Sequence, residues 1–235
     1  MSGAAGAAIA EGGWDASGWA LHPGFLPAEE VGELVREAER LTADPALSAG
    51  RGAVPNSATR SDRIDPVIDL SPRFAALARD PRLTELAGRL LGGDVQLMKD
   101  KFIAKPPGAK GYATHQDAAY WPGLGIDARR FLTAVLFLDD STAAKGAIEC
   151  ASGHHLSLLT NPDRIADPDE TRLGEFTTIE AKAGDLLLLH ALTPHRSGPN
   201  RSDSMRRALL FTYGVDARPE LYTIYHCLQK DWRSS

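Results

Sequence analysis

The sequence predicts a mainly β protein with flanking helices, whose strands form a double-sheet jelly roll or barrel. Three observations predict this class. Helical patterns are concentrated in residues 1–93, and strand patterns follow from residue 94 onward. About eight short strand patterns in roughly 130 residues fit a jelly roll or barrel. Helices and strands do not alternate along the chain, which argues against a βαβ design with a parallel sheet.

Composition and charge restrict the function classes. The chain has 235 residues, of which 43% are hydrophobic and 24% charged, so we expect one domain spanning residues 1–235. A net charge of −5 argues against a nucleic-acid partner. The longest apolar runs are too short to span a membrane, and residues 1–10 lack the basic region of a signal peptide. We therefore expect a cytoplasmic protein that acts on a small molecule.

Two cysteines, Cys150 and Cys227, are too few and too far apart to predict a disulfide framework. Both have apolar neighbours. We expect them to be buried free thiols in a reducing compartment.

The first part of the chain predicts a flexible lead-in (1–13) and a helical buttress (14–93). A helix from about residue 27 to residue 42 begins at a proline followed by acidic residues. Two shorter helices are predicted to begin after the capping residues Ser71 and Asp80. Between them and the first helix, residues 43–71 are irregular, and this segment is either a solvated connection or a lid over the substrate.

The second part, residues 94–227, predicts the β core. Its strands are bounded by glycine, proline and aspartate turns. The predicted strands span residues 94–105, 131–138, 148–151, 176–181, 185–190, 207–215 and, as a last short strand, 222–227.

A metal site is predicted by His115 and Asp117. Residues two apart on a strand project from the same face, so both side chains can reach one ion. Another strand must provide a second imidazole, and His195 has the strongest context because residues 184–189 form a strand that leads toward it. His190 is a rival ligand. Two histidines and one carboxylate are the ligand set of non-haem Fe(II) oxygenases.

These segments resemble the phytanoyl-CoA dioxygenase family of Fe(II)/2-oxoglutarate oxygenases. The resemblance runs from about Gly18 to Val215, and several short motifs carry it: Lys105-Pro106-Pro107-Gly108, His115-Gln116-Asp117, Leu138-Asp139-Asp140 with Gly146, Ser152-Gly153-His154-His155, and Gly184-Asp185 through His195 to Arg206. It implies a double-stranded β-helix (jelly-roll, cupin-like) core, with helices on one sheet. It also implies iron held by His115, Asp117 and His195, with 2-oxoglutarate and O₂ as cosubstrates.

The resemblance also implies a cosubstrate site. Arg206 lies eleven residues after His195, where the family has the arginine that binds the far carboxylate of 2-oxoglutarate, and Ser197 matches a hydroxyl that contacts it. Since neighbours on a strand face opposite sides, we expect Arg206 to point inward and Arg207 outward. Gln116 and Thr133 complete the predicted cofactor-binding group. Many members have a tryptophan in the strand that contains Thr133.

The implied reaction is hydroxylation of an unactivated C–H bond, with release of succinate and CO₂. An acid at position 117 argues against halogenation, since related halogenases have a small residue there. The substrate is expected to be a small polar or anionic metabolite, as in members that hydroxylate aminoalkylphosphonates, or a natural-product intermediate. The candidate substrate residues are near the metal motif or positively charged: Lys101, Lys105, Tyr120, Trp121 and Arg60.

Alternative interpretations of these residues and of the function are also open. The lysines could lie on an outer strand face, and the aromatic residues could be core or rim packing. The same cofactors could serve epimerisation, desaturation or oxidative cyclisation. A non-catalytic jelly roll or a zinc-binding cupin-like domain is a further alternative, although neither explains an arginine placed for a dicarboxylate.

Overall fold

The computed structural model describes residues 11–44, 63–121, 123–159, 172–215 and 217–234. Within these ranges the helices are α1 (Glu11–Ser17), α2 (Ala28–Ala43), α3 (Pro72–Leu77), α4 (Pro81–Leu91) and α5 (Glu220–Ser234). The strands are β1 (Trp19–His22), β2 (Arg63–Ile64), β3 (Val95–Lys105), β4 (Tyr112–His115), β5 (Phe131–Phe137), β6 (Ile148–Ala151), β7 (Phe176–Ile179), β8 (Leu186–His190), β9 (His195–Ser197) and β10 (Arg206–Val215).

Two antiparallel sheets form the jelly roll that the sequence predicts. One sheet has six strands in the order β1-β8-β5-β10-β3-β2, and the other has four in the order β4-β9-β6-β7. β10 is central in the larger sheet, where it pairs with β3 on one side and β5 on the other. The inner faces of the two sheets enclose a cavity.

The outer face of the larger sheet packs against the helices. Along β5, Leu132, Ala134 and Leu136 join the core cluster shared with α2, α3 and α4, whereas Val135 and Phe137 join a cluster between the sheets. This alternation is the period of two expected for a strand buried on both faces. Helix α2 confirms the predicted helix, and its apolar stripe is buried.

The two short helices begin where their capping residues predict. The Ser71 hydroxyl accepts a hydrogen bond from the Phe74 amide at 3.2 Å, and the Asp80 carboxylate accepts one from the Arg82 amide at 2.8 Å. Each side chain satisfies an amide that the first helical turn leaves without a partner. Gly92 ends α4 in the left-handed conformation with φ of 78°.

The structure corrects expectations about the early part of the chain, about residues 222–227 and about Cys227. Strands β1 and β2 lie in the part of the chain predicted to be helical, where they pair with β8 and β3. The predicted strand at 222–227 is wrong, because this segment belongs to α5. There Leu221 and Tyr225, four residues apart on one helix face, are buried. The same helix leaves Cys227 exposed, while Cys150 is buried as expected.

Some expectations fall outside the described residues. Most of the lead-in and most of the predicted lid, including Arg60, lie there. None of the helices in the described ranges combines the length and the apolar character that a membrane span requires.

Candidate active site

Three side chains that could hold a metal ion meet where β4 and β9 pair. His115 ends β4 and stands opposite His195, the first residue of β9. Gln116 is extended, with φ of −110° and ψ of 132°, so Asp117 projects to the same side as His115 although it begins a 3₁₀ turn. One possible ligand atom from each of His115, Asp117 and His195 lies within 4.8 Å of the others.

The protonation states of this group suit a divalent metal. Burial, reinforced by His195, lowers the pKa of His115 to about 3, and burial also lowers the pKa of His195. Although burial alone would raise it, Lys99 and Lys101 hold the pKa of Asp117 well below its ordinary value. The group therefore presents two neutral imidazoles and one carboxylate, which are the forms that bind metal.

Backbone carbonyls orient both imidazoles. His115 Nδ1 lies 2.8 Å from the carbonyl oxygen of Ala113, and His195 Nδ1 lies 3.0 Å from that of Thr193. A carbonyl can only accept, so each Nδ1 carries the proton and each Nε2 keeps its lone pair for a ligand. The donor set and its orientation fit an Fe(II) ion.

Thr133 orients the carboxylate of Asp117. The Thr133 hydroxyl donates to Asp117 Oδ2 at 2.8 Å and contacts the Thr212 hydroxyl at 3.0 Å. Lys99 Nζ lies 3.5 Å from the other carboxylate oxygen. Thr133 was predicted to contact the cofactor, but the structure places its hydroxyl on Asp117, and Val135 is the β5 residue that lines the cavity.

Gln116 is also placed differently from its predicted cofactor-binding role. Its amide nitrogen donates to the carbonyls of Ser157 and Leu192, and its amide oxygen accepts from the Leu159 amide at 2.7 Å. In an extended segment it faces the opposite side from His115 and Asp117. The side chain therefore anchors the segment at residues 157–159 and does not line the cavity.

The three candidate ligands line a cavity with a volume of about 280 Å³. At one end Arg206 donates from Nη1 to the Gly146 carbonyl at 2.9 Å, and its buried Nε has no partner among the described residues. Burial lowers the pKa of Arg206 to about 10, so the guanidinium stays charged at neutral pH. Ser197 lines the same end.

The neighbouring Arg207 faces the other side of β10. It forms two hydrogen bonds of 2.8 Å with the Asp139 carboxylate through Nε and Nη2, and Nη1 lies 2.9 Å from Glu39. Arg206 therefore points into the cavity and Arg207 away from it, as the alternation of a strand predicts.

The three lysines of β3 face inward, so the interpretation of an outer strand face is wrong. Lys99, Lys101 and Lys105 are 3%, 9% and 0% exposed. Lys105 Nζ donates to the Ser197 hydroxyl at 2.9 Å and to the Gly198 carbonyl, which places it at the Arg206 end. Lys101 lines the cavity further along.

The two aromatic candidates, Tyr120 and Trp121, lie in different environments. Tyr120 lines the cavity, and its ring stands edge-on to His115 with centroids 5.5 Å apart. Trp121 instead packs in an apolar cluster, with its ring 5.7 Å from that of Phe131. For Trp121 the core interpretation is therefore correct.

Several further residues line the cavity and were missing from the predicted site, among them Tyr112 and Tyr225. Tyr225 lies in the helix that was predicted as a strand. Tyr112 precedes His115 by three residues, and its position in β4 was the available signal.

His190, the rival ligand, has no nitrogen available for a metal. Its Nε2 lies 3.1 Å from the Arg129 carbonyl, and its Nδ1 accepts from the Leu192 amide at 3.1 Å. Both ring nitrogens are therefore used to close the turn after β8.

Comparisons with known proteins agree with this geometry. The family model for phytanoyl-CoA dioxygenase (PhyH) matches residues 14–208. A probable alpha-ketoglutarate-dependent hypophosphite dioxygenase from Stutzerimonas stutzeri is 32% identical over 182 residues, which are 68% of this chain and 61% of that protein. The chain thus spans about three fifths of the length of this relative. A methylphosphonate hydroxylase from Gimesia maris is 26% identical, with 91% of this chain and 82% of that protein covered.

A solved structure gives the same result for the fold. The non-haem alpha-ketoglutarate-dependent epimerase SnoN from nogalamycin biosynthesis superposes with a TM-score of 0.74 at 28% identity. The match covers 87% of this chain and 81% of that one. The two facing sheets are thus a double-stranded β-helix.

Proposed function

The chain belongs to the phytanoyl-CoA dioxygenase family of 2-oxoglutarate-dependent non-haem iron dioxygenases, and we propose that it hydroxylates an unactivated C–H bond of a small polar or anionic metabolite. One observation carries the proposal. A single cavity holds a His-Asp-His cluster beside an inward arginine whose Nε has no partner among the described residues. The cofactors are Fe(II), 2-oxoglutarate and O₂.

In this proposal, His115, Asp117 and His195 hold the iron. When bound, the iron with O₂ and 2-oxoglutarate supplies the oxidising chemistry, which releases succinate and CO₂. The protein contributes fixed ligands and a largely buried site. Thr133 and Lys99 fix the carboxylate of Asp117, and the Nδ1 contacts fix both imidazoles.

The far carboxylate of 2-oxoglutarate binds at the Arg206 end. A guanidinium and a carboxylate form paired, charge-assisted hydrogen bonds, and the exclusion of water strengthens them. Lys105 and Ser197 stand beside Arg206 and add donors for the same group. Lys105 was predicted for the substrate, and its position supports this cosubstrate role instead.

The size of the cavity supports a small substrate. A volume of about 280 Å³ lies just below the range of about 300–1,000 Å³ that ligand sites occupy. The relatives named for hypophosphite and methylphosphonate are consistent with substrates of this size. We extend the proposal to a cytoplasmic enzyme whose partner is this small molecule.

Epimerisation is the second candidate, since SnoN, which is an epimerase, has a similar structure. The mass of the product separates the two. Hydroxylation adds one oxygen atom to the substrate, whereas epimerisation leaves its mass unchanged.

The proposal is tested by adding Fe(II) and 2-oxoglutarate to the protein without oxygen and recording the visible spectrum. We expect the weak charge-transfer band of the iron–cosubstrate chelate. Admission of oxygen should then release succinate, faster with a substrate from a panel of phosphonates, amino acids and natural-product precursors. Absence of the band, together with stoichiometric zinc in the isolated protein, would favour the zinc-binding alternative.

A further inference from the structure

We propose that the part of the cavity around Lys101, away from Arg206, binds an anionic group of the primary substrate, such as a carboxylate or a phosphonate. The inference rests on the proposed function and narrows its substrate class from polar or anionic to anionic. It assigns Lys101 as the residue that binds this group, with Arg63 beside it.

Lys101 is held away from the cosubstrate end by the geometry of β3. Lys105 stands opposite Arg206 in the sheet, whereas Lys101 stands opposite Leu210. Four residues of strand separate the two lysines, which is about 13 Å at a rise of about 3.3 Å per residue. Lys101 therefore cannot reach the carboxylate that Arg206 and Lys105 receive.

The electrostatic neighbours of Lys101 and Arg206 also differ. The pKa of Lys101 responds to Lys99, Asp117 and Arg63, and that of Tyr120 responds to the same three groups. By contrast, the neighbour that affects the pKa of Arg206 is the Tyr112 phenol. Lys101 and Arg206 therefore have different electrostatic neighbours.

In the part of the chain that the structure describes, Lys101 lacks a partner that would account for its burial. Lys99 pairs with Asp117, and Lys105 bonds to Ser197 and Gly198. Among the described residues, Lys101 makes no hydrogen bond or ion pair, although it is 9% exposed and lines the cavity. Burial, reinforced by Lys99, lowers its pKa to about 7. A buried ammonium without a partner is unfavourable unless a ligand anion neutralises it.

The charge of the site with Fe(II) and 2-oxoglutarate also favours an anionic substrate. Arg63 and Arg196 are neutralised by Asp65 and Glu149. Fe(II) and the dianion of 2-oxoglutarate cancel each other, and among the lining residues Lys99 cancels Asp117.

Lys101, Lys105 and Arg206 then remain positive. Lys105 and Arg206 stand opposite each other at the cosubstrate end, whereas Lys101 stands four residues away along β3. The site therefore keeps an excess of positive charge, which favours an anionic group in the substrate.

The test uses protein loaded with Fe(II) and saturating 2-oxoglutarate in the absence of oxygen, titrated by calorimetry with methylphosphonate, acetate and uncharged dimethyl sulfone. We expect saturable binding of at least one anion and none of the sulfone. Comparison of the two anions distinguishes a phosphonate site from a carboxylate site.

Variants then locate the anion. Lys101→Met should weaken anion binding by about tenfold or more, because a hydrogen-bonded charge pair is lost. Lys101→Arg should retain it within about threefold, and Lys101→Gln provides an uncharged polar variant if the methionine variant does not fold. The affinity for 2-oxoglutarate should change little in all three variants. Arg206→Ala should instead weaken 2-oxoglutarate binding and change anion binding little. Lys182→Met, at an exposed lysine paired with Asp140, is the matched control.

The outcomes separate the two proposals. If wild-type protein fails to bind 2-oxoglutarate, the proposed function fails, and the inference fails with it. If it binds 2-oxoglutarate but neither anion, or if Lys101→Met binds the anion as tightly as wild type, the inference alone is overturned. Loss of 2-oxoglutarate affinity in Lys101→Met would also overturn it, since Lys101 would then belong to the cosubstrate site.

Discussion

The two faces of the six-stranded sheet treat buried charge in opposite ways. On the outer face, Asp100 accepts hydrogen bonds from the amides of Val67 and Ile68 at 2.6 and 2.8 Å and from the Tyr222 hydroxyl at 2.7 Å. On the inner face its neighbour Lys101 has no such partner among the described residues. The strand alternation places a satisfied charge toward the helices and an available charge toward the cavity.

Arg206 and Arg207 repeat this contrast one strand away. Arg207 is neutralised by Asp139 and Glu39 on the outer side. On the inner side Arg206 donates to one backbone carbonyl, and its Nε has no partner within the described part of the chain. Charges that are satisfied within the protein stabilise the fold. Charges that are not satisfied lower stability and remain available for ligands.

The largest expected effect is at the candidate metal ligands. His195→Ala should abolish iron binding and lower turnover by about a thousandfold or more, because the ligand set loses a member. His190→Ala is the matched control on the same segment, and it should keep iron while it loses some stability. Iron content after gel filtration and succinate release measure both. A His190→Ala protein without iron beside an iron-containing His195→Ala protein would refute the assignment.

The second prediction compares the paired arginines. Arg206→Ala should raise the dissociation constant of 2-oxoglutarate by about thirtyfold to a thousandfold, as expected for loss of one partner of a buried charge pair. Arg207→Ala should change it less than threefold and should instead lower the melting temperature. Calorimetric titration and thermal unfolding report the two quantities. Equal losses of 2-oxoglutarate affinity in both variants would sink the distinction between the faces.

The third prediction concerns the outer face. Asp100→Ala should destabilise the fold by about 3 kcal/mol, because two amides and a tyrosine hydroxyl lose their acceptor. Asp100→Asn keeps one acceptor oxygen and should lose less. Denaturant unfolding measures the change. Both variants should bind iron where they fold, and loss of iron with unchanged stability would contradict a structural role.

The smallest expected effect has the opposite sign. The pKa of Lys101 is about 7 in the folded protein, below its ordinary value of 10.5, so the unfolded chain binds more protons between these two pH values. The stability of the wild type therefore gains from this residue as pH rises through that window. Metal-free Lys101→Met should be more stable than wild type near pH 7 by about 1 kcal/mol, or about 2–4 °C in melting temperature.

The advantage of Lys101→Met should fade as the pH approaches 10.5. Melting temperatures of both proteins across this range measure it, with Lys182→Met as the surface control. A Lys101→Met protein that is less stable than wild type at pH 7 would show that the ammonium is compensated in the folded state.

The sequence was sufficient wherever strand periodicity and spacing decide the structure. The i, i+2 relation of His115 and Asp117 and the alternation of Arg206 and Arg207 follow from extended backbone alone, and both are found. Helix α2 could also be predicted, since its apolar residues recur at the spacing of one helix face.

Tertiary contacts decided the features that the sequence did not predict. Strands β1 and β2 are too short for a periodic signal and exist because β8 and β3 leave edges to pair with. The helix at 220–234 depends on packing against the β core. The orientation of Lys99 and Lys101 depends on which face of β3 meets the cavity, and a run of alternating lysines does not specify this.

Gln116 and Thr133 show a related limit. Proximity to the metal motif in sequence does not tell whether a polar side chain contacts a ligand or supports the residue that does. Thr133 supports Asp117, and Gln116 holds the segment at residues 157–159.

The ion pair between Lys99 and Asp117 has a consequence for how the site would bind a metal ion. The 3.5 Å contact means that the carboxylate has a resident cation before any iron arrives. The ammonium keeps Asp117 ionised and in position. An iron ion would therefore meet three ligands that are already arranged, and little reorganisation would be needed to bind it.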